Sequence, residues 1–445
     1  MRLLSKFVGL MVIAVVALQA WPVCADVKLP NIISSHMVMQ QELPFCVWGW
    51  ADSAEKISVR FDEREALTVV ADSKGNWKVI LEGLKADGKA HSLTVSGKNT
   101  IKLEDLLIGE VWLGSGQSNM AYTMGKSADA STTVPETRLL QVPVKQDKSI
   151  QQDTAVEWKA CTPENLSRFS AVLYHFGRRL NSELKVPIGL INSSRGSTAI
   201  QQFMPPPKSG ILFNGSIAPL QPFSIRGVVW YQGEANTKMN TAPEYFELLK
   251  SMIEGWRAGW GRELSFYIVQ IAPFKGYEPG LETRIWEAQT AALKLPKTGM
   301  VVTLDLAGNM AGIHPSNKKD VGLRLARWAL SRDYGKKDEV PSGPLFKSIK
   351  IEEKRVRIAF AYADGLKSRD GKPLAEFEVA GADGKYVPAK ATIEGTSVLV
   401  EADEIKAPVM VRFAWANTPV PNLVNGADLP AAAFHTDNWM GGTSE

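Results

Sequence analysis

A serine in a turn becomes a nucleophile only when a base takes its proton and donors stabilise the oxyanion that follows. Ser118 lies in GEVWLGSGQSNMAY, residues 109–122, where an apolar run gives way to small residues. Small residues let backbone N–H groups approach a reacting carbonyl, and a helix starting at the serine would add its dipole. Taken alone, Ser118 reads as a helix cap. Three other segments change that reading. Gly196 stands in IGLINSSRGST, Gln232 and Asn236 in VVWYQGEAN, and His314 in VVTLDLAGNMAGIHPSNK. Backbone N–H groups and Asn or Gln side chains are the donors an oxyanion needs. Histidine is the side chain whose pKa suits base catalysis near neutral pH. Of the five histidines, His36 and His91 fall in a β-patterned region, His175 in a helical period and His435 in the C-terminal tail. His314 alone follows an apolar run of strand type. Each residue singly has a bland reading: a turn glycine, loop hydrogen-bonders, a surface histidine. Their joint placement points to acyl transfer by a hydrolase.

That placement depends on the elements around them. Apolar runs at Glu110–Leu113, Pro187–Ile191, Gly227–Trp230, Ser265–Ile271 and Met300–Leu304 alternate with amphipathic stretches. Phe169, Val172, Leu173, Phe176, Leu180 and Leu184 mark one helix. Others are predicted from Ala242 to about Trp256, from near Arg284, and from Lys318 to Leu330. Strands alternating with helices imply an α/β fold with a parallel sheet covered on both faces. Such sheets bind ligands beyond the carboxyl ends of their strands, where each candidate residue falls.

Flanking regions read as β. Ile57, Val59 and Phe61 alternate with polar residues, as do Trp77, Val79 and Leu81, with a Ser73–Asn76 turn between the two runs. Val356, Ile358 and Phe360 alternate near the other end. Four segments are expected: a signal peptide over 1–25, a β-sandwich domain over 26–105, a catalytic domain over 106–335, and a C-terminal β region with a surface tail over 336–445.

The leader is read from Arg2 and Lys6, an apolar stretch from Phe7 to Ala20, and the small residues of Val23-Cys24-Ala25. The stretch is too short to span a membrane, so export to the periplasm or the outside is expected. Losing the leader brings the net charge from +4 to about +2, and no basic run interleaves with aromatics, which argues against nucleic acid as a partner. Cys46 and Cys161 remain and read as two separate buried thiols. No Cys/His cluster has metal spacing, so no metal is expected.

The motifs GQSNM, VPIGLINSS-G-T, WYQGEAN and IHP-NK-VG-RLA together resemble the sialate O-acetylesterase family, secreted carbohydrate esterases of the SGNH hydrolase group. MVMQQELPFCVWGWA and VRFAWANTPVPNL resemble that family's flanking segments, so the resemblance covers nearly the whole mature chain. It implies a three-layer, flavodoxin-like SGNH domain with flanking β-sandwich-type regions. It makes Ser118 the nucleophile and His314 the base, with the backbone N–H groups of Ser118 and Gly196 as oxyanion donors. Gln232 takes the third donor position, with Asn236 as support or alternative. The implied reaction removes O-acetyl groups from a sugar or oligosaccharide through an acetyl-serine, without metal or organic cofactor.

Three departures from the family pattern stand out. The family commonly has an acid two residues before the histidine; here that residue is Gly312. Asp305 and Glu287 are the acids left to orient His314, or a backbone carbonyl does so. Arg195 replaces a usual Trp and Trp286 a usual Arg, both expected near the pocket. Trp230, Tyr231 and Trp286 are candidates to stack on a sugar; the alternative is that they are core, which is the better reading of Trp230 taken singly. The competing reading is a glycan-binding protein of the same fold, weakened as a catalyst by the Gly312 change. A lipase is disfavoured, since no broad apolar lid is evident.

Overall fold

The computed structural model describes residues 26–127, 133–438 and 440. The expected signal peptide lies outside the described residues. Among them, no helix is long and apolar enough to cross a membrane.

The central sheet runs Thr298–Val301, Ser265–Val269, Gly227–Tyr231, Thr100–Gly116, Ile188–Ser194, Thr137–Gln141, Trp158–Ala160. Pairing is parallel across the first six, and the last strand closes the edge antiparallel. Inner strands such as GVVWY and SFYIV are buried at every position, because helices cover both faces. On one face Trp112 stacks on Tyr267 and Tyr267 on Trp328, with Phe176 edge-on to Trp112; the helices Ala171–Leu184 and Lys318–Arg332 supply Phe176 and Trp328. On the other, Trp230 meets Trp256 of the helix Tyr245–Trp260. The helix Leu281–Ala291 completes the α/β layering. The last two strands on one side, Thr137–Gln141 and Trp158–Ala160, were not legible as apolar runs, being short and of mixed composition.

The strand Thr100–Gly116 is 17 residues long. Its first half pairs antiparallel with His91–Ser96 of the N-terminal β region. Its second half is the central strand of the parallel sheet, between Gly227–Tyr231 and Ile188–Ser194. Glu110 sits inside this strand, fully buried, and accepts hydrogen bonds from Gln40, Gln41, Tyr334 and twice from Arg226, at 2.7–2.9 Å.

C-terminal to the α/β unit, Leu345–Glu352, Arg355–Ala361, Ser397–Glu401 and Lys390–Glu394 form one antiparallel sheet. Tyr386–Pro388, Phe377–Ala380, Met410–Phe413 and Phe434–His435 form another. Phe346 and Phe434 stack between the two sheets at 4.6 Å. The tail packs back on the α/β unit: His435 bonds Glu287, and the Asn417 amide donates to the Tyr277 carbonyl. Cys46 and Cys161 are buried and free.

Candidate active site

Register explains why distant segments meet. Gly116 pairs with Ser194 on one side and with Tyr231 on the other. The residues just beyond, Ser118, Gly196 and Gln232, therefore leave three adjacent strands at the same rim. The turn is tight: Gly116 has φ +133°, and a side chain there would strike the Tyr231 carbonyl, 2.1 Å from its Cβ. Only glycine tolerates both conditions. The Gln117 N–H donates to that carbonyl and the Arg195 N–H to the Gly116 carbonyl, locking both turns to the sheet.

Ser118 opens a single helical turn, Ser118–Ala121, too short to carry much of a helix dipole. Gly196 lies against it: a Cβ on Gly196 would be 3.6 Å from the Ser118 Cβ. Among the described residues, neither the Ser118 nor the Gly196 N–H is bonded to a protein acceptor.

His314 reaches this rim on the loop before the helix Lys318–Arg332. The Asn119 amide donates to the Ile313 carbonyl at 3.1 Å and to Glu234 Oε1 at 2.5 Å. Its own oxygen accepts from Lys318 Nζ at 2.5 Å. Asn119 thus ties the residue after the serine to the residue before the histidine. Asn119, Glu234 and Lys318 are all buried. Burial pulls the Lys318 ammonium down to about 7, opposed by the Glu234 carboxylate. Burial pushes Glu234 up, opposed by its bond to Asn119 and by Lys318. All three stand inside the motifs read from the sequence, but none was assigned a role there. Charged residues beside a turn read as solvated, and only tertiary burial reveals them.

The His314 ring is exposed. Partial desolvation, then the cations of Lys318 and Lys126, lower it below the ordinary histidine range. Among the described residues no group hydrogen-bonds the ring, the Ser118 hydroxyl included. The two acids considered for orienting it are engaged elsewhere. Asp305 is clasped by Arg324 at 2.6–2.7 Å and by Arg369 at 2.8 Å. Glu287 is held by His435, Arg284 and the Met440 N–H.

Gln232 and Asn236 meet behind Gly196, fully buried. Gln232 Nε2 lies 2.8–3.1 Å from Asn236 Oδ1, the Thr198 carbonyl and Gln117 Oε1, and its own oxygen accepts from Tyr245. Asn236 Oδ1 accepts from the Ile200 N–H, while its amide donates to Thr241 and Gln201. Both amides thereby brace the loop that carries Gly196. Trp230, Tyr231 and Trp286 are core residues, at most 1% exposed, which agrees with the core reading of Trp230 and corrects the stacking of Tyr231 and Trp286 on a sugar. The Trp286 indole donates instead to the Ile271 carbonyl. Arg195 stays partly exposed next to Gly196.

A family model for carbohydrate esterases described as sialic acid-specific acetylesterase matches residues 108–331. The chain is 29% identical to the sialate O-acetylesterase of Homo sapiens over 493 residues, covering 93% of this chain and 94% of that one. It is 26% identical to the sialate O-acetylesterase of Mus musculus, with 93% of each covered. A crystal structure of a carbohydrate acetylesterase from Xanthomonas citri matches with a TM-score of 0.88 and 37% identity, over 93% of this chain and all of that one.

Proposed function

The chain belongs to the sialic acid-specific acetylesterase family of carbohydrate esterases, and from that premise we propose that Ser118 and His314 carry its carbohydrate O-acetylesterase reaction as a nucleophile–base pair. The observation that supports this most is the Asn119 bridge, which joins the serine turn to the histidine loop at one sheet rim.

Ser118 Oγ attacks the acetyl carbonyl carbon while His314 takes its proton. The tetrahedral oxyanion is met by the N–H groups of Ser118 and Gly196. Collapse expels the sugar alkoxide, which takes the proton back from His314. Water, activated by the same imidazole, then attacks the acetyl-serine, releasing acetate and free Ser118. The hydroxyl–imidazole hydrogen bond forms with substrate in place, as such bonds commonly do. Gln232 and Asn236 act first as braces for the Gly196 loop. Gln232 serves as a third donor if an Nε2 hydrogen is exchanged from Thr198 or Asn236 to the oxyanion.

The substrate proposed is an O-acetylated sugar, either a sialoside or an acetylated polysaccharide such as xylan. The chain is proposed to act after export. Purified protein incubated with acetylated sialosides and acetylated xylan fragments, with acetate read by mass spectrometry, tests the reading and separates the two classes. The lone His314 favours one second reading, a glycan-binding protein with weakened catalysis; acetate release no faster than in Ser118→Ala would select it.

The bare imidazole also sets a pH dependence. A histidine held below its ordinary value is neutral, and so competent as a base, at lower pH than usual. The acid limb of kcat/KM is therefore expected below about 6.5. Gly312 has open space where a Cβ would project. Gly312→Asp should fold normally and place a carboxylate near His314, favouring the imidazolium. The limb then moves to higher pH and kcat rises by about ten-fold or more. An unmoved limb would show that the added acid does not reach the ring.

A further inference from the structure

One cleft of the protein is lined by none of the residues placed at the serine rim and serves no step above. Its volume is about 980 Å³, and it separates the N-terminal β region from the α/β unit. One wall is the hairpin Phe45–Trp50 with Asn76–Leu81. Side chains alternate along a strand, so Trp48 and Trp50 lie on the same face, two residues or roughly 7 Å apart. That face is turned away from the core: Phe45 and Val47 are buried, whereas both tryptophans are half-buried. The opposite wall is Pro205–Pro206 and the small-residue face of the helix Tyr245–Trp260, at Gly255, Ala258 and Gly259.

One hydrogen-bond donor in this lining, the amide nitrogen of Gln221, has no acceptor among the described residues; the Trp77 indole belongs to the buried face of the hairpin with Gly49, opposite Trp48 and Trp50. A buried donor without a partner costs free energy, so it marks a place where a ligand can supply an acceptor. The charges at the rim, Asp72 and Lys78, are of opposite sign and leave no net field to favour an ion. Aromatic platforms at two-residue spacing, an orphaned amide donor and neutral electrostatics together match the C–H faces and hydroxyl oxygens of an uncharged sugar chain. We propose that this cleft is a second binding site, distinct from the Ser118 site, that holds an uncharged segment of a polymeric glycan. The proposal takes a glycan as the ligand from the esterase reading, and it narrows that reading toward polysaccharide over free sialosides.

Binding is read with deacetylated polymers, so loss of catalysis cannot mimic loss of the site. The protein is run in native gels containing xylan, glucomannan or mixed-linkage glucan, with polysialic acid as the charged comparison. At least one neutral polymer is expected to retard it. Trp48→Ala/Trp50→Ala should weaken that retardation about ten-fold or more. Ala258→Arg, at an exposed helix position, obstructs the opposite wall without touching the hairpin and should do the same. Both variants should keep the wild-type melting temperature and the wild-type rate on p-nitrophenyl acetate, while KM for an acetylated form of the retarding polymer rises. Absence of retardation by every neutral polymer, or retardation that both variants leave intact, overturns the proposal. Self-association that the same variants abolish would assign the cleft to a second copy of the chain instead.

Discussion

Ser118→Ala is expected to lower kcat on an acetylated sugar by about four to six orders of magnitude, with KM little changed. The hydroxyl is the only group at the rim that bonds to the acyl carbon in the proposed mechanism. Its removal deletes a step rather than weakening a contact. The backbone donors of residues 118 and 196 survive in the alanine variant, so residual hydrolysis above the uncatalysed rate should persist. Single-turnover mass spectrometry at low pH offers a sharper check: the wild-type protein should gain the mass of one acetyl group on the peptide containing residue 118. An alanine variant that retains more than about a tenth of the activity would remove Ser118 from the reaction.

Glu110→Ala should cost about 3–5 kcal/mol of folding stability, read by denaturant unfolding. The carboxylate is fully buried and accepts five hydrogen bonds, two of them from Arg226. Alanine would leave a guanidinium without its counter-charge. It would also strand the donors of Gln40, Gln41 and Tyr334. Glu110→Gln keeps the shape but loses the charge, and should fall between the two. A loss under about 1 kcal/mol for the alanine variant would show that water replaces the carboxylate without penalty.

The α/β core and the candidate site were legible to different depths. Inner parallel strands are buried on both faces, so they appear in sequence as unbroken apolar runs. The helix predicted from Phe169 to Leu184 is present over Ala171–Leu184 because its apolar positions recur every three to four residues. The short strands Thr137–Gln141 and Trp158–Ala160 carry too little of either signal. At the site, the order of strand ends pointed to Ser118, Gly196 and His314 sharing a rim, since parallel topology leaves few alternatives. What sequence spacing could not carry was side-chain direction. Tyr231 and Trp286 look like sugar platforms in a string of letters, yet both are buried in the core. Conversely Asn119, Glu234 and Lys318 look like loop polarity and instead form the buried link between the Ser118 turn and the His314 loop. The half-buried, alternating tryptophans at 48 and 50 carry a period-two signal that was readable, but it fell outside the catalytic motifs.

One backbone segment joins the N-terminal sheet to the Ser118 turn with no linker between them, as Thr100–Gly116 runs unbroken through both ladders. Pruning the first hundred residues would therefore not liberate a smaller enzyme. It would strip neighbours from the near half of a girder whose far end aims Ser118, and the loss would be felt as imprecision at that hydroxyl.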